Sequence, residues 1–114
     1  MGQIVNVQHK QCSYINFSTC KQEMVEYIAF IDLAKKDEER EDGLDYIETV
    51  SIDGNIIDVY DDDCGQCYML RYTDADGEEK YWGCGTYNFD YMSEAIAISR
   101  HIDRIKEKKE TLIS

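Results

Sequence analysis

Asp53-Gly54 sits between two strand-like runs, residues 46–52 and 55–60, both rich in Val, Ile, Thr and Tyr. Both central positions of a type I′ turn need positive φ, and Asp-Gly meets that requirement. The middle of the chain is thereby committed to a tight antiparallel hairpin. A second hairpin follows: 67–72 and 80–82 flank Asp74-Ala75-Asp76-Gly77, with Gly77 suited to a left-handed backbone.

The remaining elements are read from periodicity. Val5 and Val7, then Ile15 and Phe17, alternate with polar neighbours, which predicts short strands at 3–8 and 12–17 turning at His9-Lys10-Gln11. From about Cys20 to Asp42 the spacing predicts a helix. Thr19 and Gln22 suit a capping box, Met24, Tyr27, Ile28, Ile31 and Ala34 share one face, and Val25, Ala29 and Leu33 form a second apolar edge. Gly43 is its natural stop. A second helix is predicted over about 90–110, with Tyr91, Ala95, Ile98, Ile102 and Ile105 as its stripe and bases in its last turns. The expected fold class is α+β: one domain over 1–114, an antiparallel β-sheet of about four to six strands packed against two α-helices.

Charge is unevenly spread. Residues 37–79 hold sixteen acids against two bases, Arg40 and Arg71, while the flanks 1–36 and 80–114 are each net +1, giving −12 for the 114 residues. With 43% hydrophobic residues and nine Tyr, the chain is too apolar and aromatic for a disordered acidic tail. A field of one sign repels phosphate and anionic membrane and attracts basic protein. Direct nucleic-acid and membrane binding are therefore not expected. The longest apolar run, 27–31, is five residues, short of both a span and a signal-peptide core. An odd count of five Cys argues against a closed disulfide set, and a cytoplasmic location is expected.

The acids fall in clusters: Asp37, Glu38, Glu39, Glu41 and Asp42, then Asp61, Asp62 and Asp63, then the loop at 74–79. As a binding surface, spaced carboxylates occupy the positions a DNA-binding groove reserves for phosphates, with Tyr as anchors. Their bland counterpart is a solvated face. Neither the run starting at Asp61 nor that starting at Asp74 has the Gly and Glu a calcium loop requires at positions six and twelve.

Cys64 and Cys67 stand at CxxC spacing and Cys84 follows seventeen residues later, so these three are candidate zinc ligands. A redox role is disfavoured: the residues after Cys67 read as strand rather than helix, and Asp61-Asp62-Asp63 would raise a thiol pKa. No nucleophile elbow, phosphate loop or HExxH is present.

In length and charge, though by no motif, the chain resembles the small acidic inhibitors that phages and mobile elements use against restriction or CRISPR nucleases. It also resembles the immunity proteins that neutralise basic nuclease toxins. The resulting expectation is a non-enzymatic acidic binding protein without a cofactor. It would meet a basic protein partner through Asp37, Glu38, Glu39, Glu41, Asp42, Asp61, Asp62 and Asp63, and inhibit a nucleic-acid enzyme. The alternative is a small zinc-stabilised domain built on Cys64, Cys67 and Cys84.

Overall fold

The computed structural model describes residues 3–16, 19–39, 41, 43–62, 67–83 and 91–113. Six strands, β1 (Ile4–Asn16), β2 (Lys21–Asp32), β3 (Leu44–Ile52), β4 (Asn55–Asp62), β5 (Cys67–Thr73) and β6 (Glu79–Gly83), form one antiparallel sheet in the order β1-β2-β3-β4-β5-β6. A single turn of helix, α1 (Leu33–Lys36), joins β2 to β3, and a long helix, α2 (Tyr91–Ile113), ends the chain.

The midpoint hairpin forms as its turn residues dictate. Asp53 and Gly54 have φ of 52° and 84°, and β3 and β4 pair from Ile52↔Asn55 outward. Gly77 takes φ 85° in the β5–β6 loop, where the Asp74 carboxylate accepts from the Asp76 and Glu78 amides at 2.9 and 3.0 Å.

The helix expected over 20–42 is instead a strand followed by one helical turn. Burial along β2 alternates through Glu23, Val25, Tyr27, Ala29 and Ile31, a period of two, whereas Met24 is 61% exposed. Val25, Ala29 and Leu33 are four apart, which suits a helix and a strand equally. The β-branched and aromatic residues between them, with a partner strand on each side, decide for strand. The turn expected at His9-Lys10-Gln11 is likewise absent. β1 runs straight through it, paired residue for residue with β2 from Gln8↔Ala29 to Asn16↔Lys21. The irregularity in β1 lies earlier, between Val5 and Gln8, with Asn6 at φ 55°.

The core lies between one sheet face and α2. Val50, Ile52, Ile57, Val59 and Leu70 from the sheet meet Met92, Ala95, Ile96, Ile98 and Ile102 from the helix. Full burial of one such side chain is worth roughly 1.5–3 kcal/mol. Polar contacts fix the helix along its length. Asn55 Nδ2 donates to Ser99 Oγ at 2.8 Å and to Asp103 Oδ1 at 3.1 Å, and Trp82 Nε1 donates to Glu94 at 2.8 Å. The Tyr91 hydroxyl donates to Glu48. Among the described residues only α2 packs on the sheet as a layer; α1 has no buried residue, so the expected pair of packed helices reduces to one.

Candidate binding surface

Strand register brings the two acid clusters to one end of the sheet. Leu44 pairs with Asp62 and Asp45 with Asp61, so the 37–43 segment that enters β3 emerges beside the end of β4. Asp37, Glu38, Glu39, Glu41 and Asp45 are exposed there, and Asp61 and Asp62 are half-buried. On the other side of β4, Asp61 faces Tyr68 and Asp62 faces Cys67. Asp42 and Asp63 lie outside the described residues. The third acidic group, at 74–79, is at the opposite end. It is matched with bases there: Lys80 to Asp74 at 3.0 Å, Arg71 to Glu79 at 3.0 Å, and Lys109 to Asp76. The Lys80 bond holds the Asp74 carboxyl below its ordinary pKa, and the same bond raises Lys80.

The acid-bearing segment is anchored by residues that the sequence reading passed over. Asp58, 5% exposed, alternates with Ile57 and Val59 and therefore sits on the face away from α2. Its carboxylate accepts from Lys35 Nζ at 2.8 Å on both oxygens, from Thr49 Oγ1 at 2.7 Å, and from Arg71 Nη2 and Nε at 2.9 and 3.2 Å. The Tyr46 hydroxyl lies 2.6 Å from Thr49 Oγ1 and accepts from the Asp32 amide at 3.0 Å. The Arg71 guanidinium also stands 5.2 Å from the centre of the Tyr60 ring.

Burial alone would raise the Asp58 pKa. The bonds from Lys35, Thr49 and Arg71, with the Lys35 charge, outweigh it and hold the carboxyl below its ordinary value. For Arg71 burial works in the opposite sense, and its bond to Asp58 overcomes that to raise its pKa.

The cluster ties α1 to the sheet. Lys35 points inward to Asp58, Asp32 caps the helix by accepting from the Ala34 amide at 3.1 Å, and the Leu33 amide donates to Gln3 O at 2.9 Å. The acids at 37–41 are thus carried from a fixed point. A visible sign of this existed in the sequence. Asp58 interrupts the apolar run 56–60 in a central strand, and a charge there demands a partner.

Of the candidate zinc ligands, Cys64 and Cys84 lie outside the described residues. Cys67 opens β5, half-buried, with its Sγ 3.8 Å from the Asp62 carboxylate. Partial burial and that carboxylate push its thiol pKa up, which disfavours the thiolate. Among the described residues, no three His, Cys, Asp or Glu side chains are grouped as a metal site. No described helix is long and apolar enough to cross a membrane. No protein-family model matches the chain, and no curated protein or solved structure matches it significantly.

Proposed function

We propose that this chain is a non-enzymatic acidic binding protein that inhibits a basic nucleic-acid enzyme. In this reading, the sheet end bearing Asp37, Glu38, Glu39, Glu41, Asp61 and Asp62 docks in the groove where that enzyme holds phosphate. One observation carries the reading. Two acid clusters about twenty residues apart in sequence converge because Leu44 pairs with Asp62, and one of them follows the helical turn that Lys35 ties to the buried Asp58 carboxylate. Convergence concentrates negative potential on a rigid scaffold, which favours fast association with a positive groove. The same field disfavours DNA, RNA and anionic lipid as direct partners.

The test compares the immobilised wild-type protein with the Glu38→Lys/Glu39→Lys/Glu41→Lys variant in lysate of the native cell. The wild type is expected to retain proteins with basic nucleic-acid grooves and to release them to competing duplex DNA or high salt. The variant is expected to bind them roughly tenfold more weakly. Equal retention by both proteins, indifferent to DNA, would overturn the reading.

A further inference from the structure

β1 is the outer strand of the sheet, and no described strand pairs with its outer side. Its thirteen residues, at about 3.3 Å each, extend close to the molecule's longest dimension of 43 Å. Proteins usually blunt such an edge with charge, bulges or a covering element. Here the bulge is confined to the stretch between Val5 and Gln8, which leaves Gln8–Asn16 as nine regularly paired residues. Six large apolar side chains are exposed among the described residues, and Ile4, Val7 and Ile15, each more than half exposed, all belong to this strand.

Charge indicates what can approach it. β1 contains no carboxylate, in a chain with 24 acids, and its one fixed charge is Lys10. The other outer strand, β6, is short and begins at Glu79 beside an acidic loop. Two copies of a −12 molecule therefore meet with least repulsion along β1.

We infer that β1 pairs with β1 of a second copy, antiparallel, about a two-fold axis at Gln11. An antiparallel pair of identical strands is self-complementary, as a two-fold interface must be. Centring it on Lys10 would oppose two like charges. Centring it on Gln11 sets Lys10 against Cys12 and pairs the regular stretch Gln8–Tyr14 with itself, so that Ile15 of each copy lies just past its end, beside the irregular segment of the other copy that carries Val7. The acidic neighbour Glu26, which pairs with Gln11 in β2, would be separated from its symmetry mate by three strand spacings. That is about 14 Å, beyond the screening length of roughly 8–10 Å at moderate salt. The product is one continuous twelve-stranded sheet.

The position on the axis supplies the test, because whatever replaces Gln11 meets itself. Gln11 is exposed, so Gln11→Glu and Gln11→Lys should both fold; each should melt below the wild type by an amount that grows with protein concentration, because dimerisation no longer supports it, and Gln11→Glu, which lies opposite Glu26, should melt lower than Gln11→Lys. In sedimentation at physiological salt, the wild type is expected as a dimer. Each variant alone should show at least about a tenfold weaker association, and an equimolar mixture of the two should recover dimers of mixed composition. A wild type that stays monomeric to about 100 µM would overturn the inference. So would both variants dimerising as well as the wild type. A strand edge built for a basic partner would give a third result: a monomeric wild type whose partner binding is weakened by the Lys substitution alone.

Discussion

Asp58 shows how one side chain can hold a surface it does not belong to. Its carboxylate is buried against the partly exposed Lys35 and Arg71, and removing its charge takes the counter-charge from Lys35 and leaves Arg71 with Glu79 alone. Because both cations keep contact with solvent and Arg71 keeps Glu79, the loss falls below that of a fully buried pair, at about 2–3 kcal/mol. Asp58→Asn is therefore expected to lower stability by about that much at pH 7, read from urea unfolding. The pH dependence has a definite sign. The folded pKa of Asp58 is depressed, so its contribution is complete above the unfolded value of about 3.9 and disappears as pH falls through the folded value. The gap between wild type and variant should narrow below about pH 4; a gap that stays constant to pH 2 would show that the Asp58 charge is not what stabilises the cluster. Sequence made this residue visible but not its partners. An acid inside 56–60 signals a buried counter-charge, yet Lys35 is 23 positions away and reaches it only because β2 is a strand.

Elements were legible where a turn residue or a long period declared them. Asp53-Gly54 declared the β3–β4 hairpin and its register as far as Glu48, beyond which an irregularity between Tyr46 and Glu48 shifts the pairing by one, and Gly77 declared the β5–β6 loop. The stripe on α2 emerged with Ala95, Ile98 and Ile102 buried. The stretch over 21–32 reads as a helix although it is a strand, because apolar residues occupy seven of the eight positions 24–31, which satisfies both periods. Two substitutions separate the readings. A helix with the predicted stripe buries Met24, whereas the strand exposes it and buries Val25 at 7% exposure. Met24→Lys is expected to change stability by no more than about 0.5 kcal/mol. Val25→Lys, which forces an unpaired charge against α2, is expected to cost about 3 kcal/mol or more. Comparable urea midpoints for the two variants, or the reverse order, would contradict the strand. On α2, Ile98→Ala should cost about 2–5 kcal/mol by the same measurement, since Ile98 is fully buried at the centre of the packed face.

At the scale of the whole molecule, the partition of charge could be counted from the chain, but its geometry required the sheet register. The acids of 37–41 and 61–62 share one end, and the 74–79 acids occupy the other with their matching bases. Two electrostatic contributions to stability therefore oppose each other. Ion pairs such as Arg100–Glu23 at 2.8 Å are partly exposed and worth about 0–1 kcal/mol each. Repulsion within a −12 chain acts on every acid at once and favours expansion. Salt screens both, so the sign of its effect identifies the larger. Repulsion at the crowded end should dominate, and the melting temperature should rise between about 10 and 150 mM NaCl as the screening length falls from about 30 to 8 Å. The Glu38→Lys/Glu39→Lys/Glu41→Lys variant should melt higher than the wild type at 10 mM NaCl and gain less from added salt, because its net charge is halved from −12 to −6. These side chains are exposed and contribute nothing to the buried core, so the reversal leaves the fold's packing untouched. A wild-type melting temperature that falls with salt would place the ion pairs above the repulsion. The acidic end would then repel itself too weakly to count as a concentrated field held ready for a partner.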